Sequence, residues 1–296
     1  MQITDNLKND ISDAPSWFHD AINIKPSEKI LKDAKGNLSY SVWPSLSENK
    51  NLMIFIHGTG AHKKWWYPIA PQFVNYSNVI AVDLPGMGDS GFREKYSIKD
   101  FGQCIISIIE KEKSNMNIDN ISIIGHSLGG QVAGYVASEE KNLVSNLIMI
   151  DTFIRPPDWD PSQNEGGPLR MIKYYPDKTT ILKRFRLLPQ QECDNEWFVR
   201  YISEHSVRKT SEGWRWKFDD SMFNRLERLF GYKFSFGCPA LFIHGANSLL
   251  MSANILDNIK KMYSEIMDFD EVNDAAHHVP LDKPLEIVDI IKSRLF

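Results

Sequence analysis

A chain of 296 residues with 42% apolar, 24% charged and 11% aromatic residues can bury a large core and lacks the polar, low-aromatic make-up of a disordered protein. Its formal net charge of -4 creates no general field that would gather DNA or RNA phosphates. Three cysteines, Cys104, Cys193 and Cys238, are scattered without CxxC spacing, which points away from a disulfide framework or a zinc site and fits a reducing compartment.

The first ten residues, MQITDNLKND, are polar and acidic with no apolar run behind a basic start, so no secretory leader is expected. No apolar stretch reaches the roughly 20 residues that span a bilayer. The expectation is a soluble, cytoplasmic protein with neither membrane nor nucleic-acid partners. In chain order, residues 29–31 and 38–43 read as a hairpin about Lys35-Gly36-Asn37. Residues 51–56 (NLMIFI), 79–82 (VIAV), 121–124 (ISII) and 147–150 (LIMI) are nearly continuous apolar runs, the pattern of parallel strands covered on both faces. Between them, residues 64–76, 97–113 and 127–139 have room for crossover helices, the second opening on Ser97-Ile-Lys-Asp100, close to a capping box. This alternation means a doubly wound α/β sheet. It breaks after Asp151: Pro156-Pro157, Gly166-Gly167-Pro168, four tryptophans and many basic residues predict an inserted, largely helical segment over 152–236, between core pieces 1–151 and 237–296. The alternation then resumes with a strand at 240–244, a helix at 253–263, a short strand at 266–269 and a final helix at 284–296 opened by Pro284.

Gly125-His126-Ser127-Leu128-Gly129 stands between the run ISII and a helical segment. A serine on so sharp a strand-to-helix turn takes strained backbone angles, and its neighbours two positions away must lack side chains for the turn to close. The helix that follows directs its N-terminal amides at the hydroxyl, where they stabilise negative charge. Ser127 therefore reads as a nucleophile, against the plainer alternative of a capping serine. His57-Gly58-Thr59-Gly60 follows the run NLMIFI, and its small residues let the backbone approach a substrate carbonyl, so the Thr59 amide can join that of Leu128 as an oxyanion hole. For a base, His277 and His278 compete just before the last helix.

With these motifs the chain resembles the α/β-hydrolase superfamily over nearly its whole length, and looks closest to the capped, esterase-like members. The likeness also rests on His62 with Trp65-Trp66, on Asp83-Leu-Pro-Gly-Met-Gly88-Asp89-Ser90, and on His277-His278-Val-Pro-Leu-Asp282-Lys-Pro284. It implies an eight-stranded, mostly parallel sheet flanked by helices, a helical cap inserted after strand six, a serine, acid and histidine in that chain order, and chemistry without cofactor or metal. In similar proteins the catalytic histidine lies seven residues before the proline that opens the last helix, which selects His277. The family's usual aspartate after strand seven is absent: Gly245-Ala246-Asn247-Ser248 puts a serine there, and serine cannot carry the charge that stabilises an imidazolium. Some relatives use an acid at the end of strand six. Asp151 stands there, beside the strand of Ser127, and is the expected acid, the alternative being a cap for the chain's entry into the insertion.

Gly86-Met-Gly88-Asp-Ser-Gly91 matches GxGxxG after a strand, yet Pro85 precedes it, polar residues follow it, and no acidic strand end lies about 20 residues further on. Nucleotide binding is rejected, and by resemblance Asp83 and Asp89 are structural. Within the insertion, Trp159, Trp214 and Trp216 are the candidate substrate-facing aromatics, with gluing of the cap to the sheet as the alternative for each. The expected activity is that of a serine hydrolase cleaving a small to medium carboxylic ester, lactone or thioester through an acyl-enzyme. Its rivals are a C–C bond hydrolase of diketone-type substrates and a non-catalytic ligand-binding receptor, the latter prompted by Ser248.

Overall fold

The apolar runs pair into one eight-stranded sheet in a computed structural model that describes residues 11–155 and 172–296. Its strands are β1 (Ser27–Leu31), β2 (Leu38–Trp43), β3 (Asn51–Ile56), β4 (Asn78–Val82), β5 (Asn120–His126), β6 (Asn146–Ile150), β7 (Ala240–Gly245) and β8 (Asp268–Val272). Their spatial order is β1-β2-β4-β3-β5-β6-β7-β8. β2 runs antiparallel to both neighbours, and every other pair is parallel. The edge strand β8 begins at Asp268 rather than at residue 266, because pairing with β7, from Leu241 opposite Asp268 to Gly245 opposite Val272, sets its bounds.

A helix that the sequence reading did not anticipate, α1 (Ser16–Asn23), buries Phe18 against Trp197, Phe198 and Tyr201 of the insertion. Successive strand residues point to opposite faces, so each central strand serves two cores. Leu52, Ile54 and Ile56 of β3 pack with α2 (Ile98–Lys113) and α3 (Leu128–Glu139), whereas Met53 and Phe55 pack on the other face with Trp66, Phe73 and the last helix. Ser97 caps α2 as expected, its hydroxyl accepting from the Asp100 amide at 3.0 Å. The helix expected over residues 64–76 is instead two short 3₁₀ turns, Lys63–Trp66 and Ala70–Phe73. Pro68 and Pro71 have no N–H with which to continue an α-helical ladder.

The insertion also departs from a largely helical reading. Its described residues hold the short helix Lys178–Leu182 and α4 (Glu196–His205), but then a hairpin of Val207–Thr210 with Gly213–Trp216. Gly213, at φ 130°, takes a backbone conformation that only glycine adopts without strain. Leu226–Glu227 pairs with Tyr96–Ser97 and so ties the end of the insertion to the core. The chain then completes the sheet and adds α5 (Ala253–Tyr263) and α6 (Pro284–Leu295). Among the described residues no helix is long and apolar enough to cross a membrane. Because β3, β5, β6 and β7 are parallel, the residues that follow them meet along one edge of the sheet, where open α/β sheets bind ligands.

Candidate active site

Ser127 joins β5 to α3 with φ 55° and ψ -118°, a conformation that costs a non-glycine residue about 1–3 kcal/mol. A side chain at Gly125 would overlap the Gly129 carbonyl, and one at Gly129 would overlap the carbonyls of Ile56 and His57. Gly125 therefore lets the turn close and Gly129 lets it pack against the tip of β3, and the Ser127 amide donates to the Ile150 carbonyl at 2.8 Å, clamping the turn to the neighbouring strand tip.

Asp151 stands at that strand tip, fully buried and with φ 43°, its amide bonded to Ile243 at 2.7 Å. Its Oδ1 lies 2.7 Å from His277 Nδ1 and also accepts the Ser248 hydroxyl at 2.7 Å, while Oδ2 accepts the Gly245 amide at 3.0 Å. Ser248 thus stands where an acid is usual and donates a hydrogen bond to the carboxylate that arrives from the next strand. Three donors thus converge on this buried carboxylate. His277 is positioned through its backbone: its carbonyl accepts from His126 Nε2 at 2.9 Å, and the preceding Ala276 amide donates to Asp282 at 2.8 Å. Burial, with His277 close by, pushes His126 down to about 3, so its ring is neutral near pH 7 and acts as a fixed donor. His278 points elsewhere, its ring 5.4 Å from that of Trp65, and its amide donates to Gln191.

The loop after β3 is fixed by His57. Burial pushes this imidazole down to about 4. Its Nε2 accepts the Leu84 amide at 3.1 Å, so the proton sits on Nδ1 and is donated to the Gly58 carbonyl at 2.7 Å. Thr59 and Leu128 line the cavity that holds Ser127, and neither amide has a hydrogen-bond partner among the described residues. Asp83 and Asp89 lie outside this constellation. Asp83 accepts the Lys63 and Asp89 amides, and Asp89 pairs with Lys217 of the insertion at 2.9 Å.

Two cavities of about 260 Å³ each meet at Thr59 and Leu188. One holds Ser127, His277, Leu128, Arg155 and Arg228, and the other is walled largely by Trp65, Phe185, Trp216 and Phe218. Of the expected aromatics, Trp216 reaches the second cavity. Trp214 does not: it pairs through its backbone with Tyr175 and packs on Ile181 and Leu182. Trp159 lies outside the described residues. His126, His277 and His278 bring ring nitrogens within 4.8 Å of one another, the one group with metal-ligand chemistry among the described residues. His277 Nδ1 and His126 Nε2 are engaged with Asp151 and a carbonyl.

A family model described as the alpha/beta hydrolase fold matches residues 51–284. The chain belongs to the α/β-hydrolase family. It is 24% identical over 280 residues to the sn-1-specific diacylglycerol lipase ABHD11 of Danio rerio, a match covering 90% of this chain and 84% of that one. It is 31% identical over 150 residues to the pimeloyl-(acyl-carrier protein) methyl ester esterase of Pseudoalteromonas atlantica, covering 48% and 54% respectively. Among solved structures, the thioesterase domain from the curacin biosynthetic pathway is similar with a TM-score of 0.72 at 20% identity, covering 90% of this chain and 99% of that one. This hydrolase is an esterase-like member of the family.

Sequence reasoning missed several groups in the hydrolase's site. Ser248 reads in the sequence only as a missing acid, although a hydroxyl at that position is a ready donor. Arg155 and Arg228, separated by most of the insertion, carry no motif that would have joined them. Asp282 and Gln191, which accept the amides on either side of His277, are hydrogen-bonded to each other at 2.8 Å.

Proposed function

We propose that this α/β hydrolase cleaves small to medium carboxylic esters through an acyl-enzyme formed on Ser127, with lactones and thioesters within reach of the same chemistry. The observation that carries the reading is the 2.7 Å contact of His277 Nδ1 with the buried Asp151 carboxylate, beside a serine held on a strained turn. Asp151 keeps the imidazole proton on Nδ1, which leaves Nε2 free to take the Ser127 proton as Oγ attacks the carbonyl carbon. The Thr59 and Leu128 amides donate to the oxyanion that forms. His277 then returns the proton to the departing alkoxide, and water, deprotonated by the same imidazole, releases the acid. Residues 152–236 act as a cap on the core formed by 1–151 and 237–296. The names carried by the matched relatives, a lipase, an esterase and a thioesterase, support acyl transfer to water.

A cytoplasmic enzyme with a small-molecule substrate, and without nucleic-acid or membrane partners, remains our reading, in keeping with three free cysteines. Hydrolysis of a C–C bond would use the same parts. A non-catalytic receptor is disfavoured because Ser248, the departure that prompted it, donates to Asp151 and so supports the acid. Treatment with a fluorophosphonate and intact-mass analysis tests the reading. One adduct on the wild type that vanishes in Ser127→Ala is expected, and a folded wild type that takes no label would overturn it. A panel of esters, lactones and diketones then separates ester from C–C bond cleavage.

A further inference from the structure

Arg155 and Arg228 line the cavity that holds Ser127 and His277, although they come from opposite ends of the insertion. Among the described residues neither is paired with a carboxylate, and the charge felt by Arg155 is that of Arg228, of the same sign. Burial, with that neighbour, pushes Arg155 down to about 10, and burial lowers Arg228 as well. Among the described residues the buried Arg155 Nε has no hydrogen-bond partner. Its guanidinium lies 5.1 Å from the centre of the Phe153 ring and 5.7 Å from that of Phe230, faces that hold a cation in place without neutralising it. Gln131 secures this arrangement by donating to the Phe153 carbonyl at 2.7 Å.

Two adjacent, partly desolvated cations repel, and an anion seated between them removes both the repulsion and the unmet donors. A guanidinium presents its N–H groups in a planar fork that matches a carboxylate. We propose that Arg155 and Arg228 form a subsite for a carboxylate carried by the substrate, so that the preferred esters are anionic monoesters. This rests on the serine-hydrolase reading above. With the reacting carbonyl at Ser127, the carboxylate occupies the arginine side and an apolar arm runs past Thr59 and Leu188 toward Trp216.

Two matched pairs of substrates test it. Mono-4-nitrophenyl adipate against 4-nitrophenyl hexanoate places the charge in the acyl part, and 4-acetoxybenzoate against its methyl ester places it in the alcohol part. In one pair the wild type is expected to favour the anionic member by about tenfold or more in kcat/KM, and Arg155→Met and Arg228→Met each to lower that ratio by about tenfold, chiefly through KM. Arg228→Lys, which keeps a charge, should retain part of the preference. A wild type that hydrolyses both members of each pair at equal kcat/KM overturns the subsite whether or not the variants fold, as does a preference that survives both methionine substitutions. A chain that hydrolyses none of the four and takes no fluorophosphonate label on Ser127 overturns the serine-hydrolase reading itself, and the subsite with it.

Discussion

Replacing Asp151 by asparagine keeps the shape of the site and removes its charge, and the surrounding hydrogen bonds set the outcome. Three donors converge on the carboxylate: the Gly245 amide on Oδ2, and Ser248 Oγ with His277 Nδ1 on Oδ1. An asparagine must choose. If its NH₂ faced Gly245, two donors would oppose each other in a buried site, at a cost of about 1–3 kcal/mol. With its oxygen toward Gly245 every group is satisfied, because the Ser248 hydroxyl can rotate to accept and His277 can shift its proton to Nε2. That tautomer cannot accept the Ser127 proton. The serine-protease precedent for a wrong tautomer is a loss of about 10⁴ in turnover, or roughly 5.4 kcal/mol of transition-state stabilisation at 1.36 kcal/mol per tenfold. Ser248→Ala removes one of three donors to the carboxylate and should cost only about tenfold. Turnover of 4-nitrophenyl butyrate at pH 8, with circular dichroism to confirm folding, distinguishes them. In Asp151→Asn/Ser248→Asp the acid returns to its usual strand, and at least about tenfold recovery over Asp151→Asn is expected. Near-native turnover of Asp151→Asn would refute the assignment of the acid.

The two tryptophans of the hairpin should separate cleanly. Trp216→Ala should raise KM for octanoyl more than for acetyl esters by about tenfold, whereas Trp214→Ala should lower the melting temperature without changing that chain-length profile; equal profiles would remove Trp216 from the substrate path. Stability should fall on acidification. His57 and His126, depressed by burial to about 4 and about 3, stay neutral in the fold while the unfolded chain takes up their protons below its ordinary value of about 6.5. Their contribution is complete above about pH 6.5 and declines by roughly 1.4 kcal/mol per pH unit for each as pH falls. Asp83, raised to about 6 by burial, has the opposite sign and offsets about half of one of these protons at pH 6 and nearly one at pH 5. Urea titrations at pH 7, 6 and 5 should therefore show a net decline, steeper in Asp83→Asn, and stability that is flat or rises over this range would contradict the reasoning.

What the sequence determined by itself was governed by short-range rules. Residues 51–56 and 147–150 read as central strands because a strand covered on both faces must be apolar at every position, and both are buried in the sheet. The elbow at Ser127 was legible because glycines stand two residues to either side of it; the clash that requires Gly125 is local, with the Gly129 carbonyl, whereas the one that requires Gly129 is with the distant tip of β3. Even the failed helix over 64–76 had a local cause in Pro68 and Pro71. The tertiary structure decided which distant groups meet. Trp214 and Trp216 share a face of one strand, yet only Trp216, at the open end of the hairpin, brings its ring to the cavity. No pattern along the chain announces that Ser248 donates to Asp151, or that Arg155 and Arg228 share a wall, since each meeting depends on the register of strands and on how the insertion folds back. A backbone turn is fixed by the residues within it, whereas an electrostatic site is the sum of side chains that only the completed fold brings within a few ångströms.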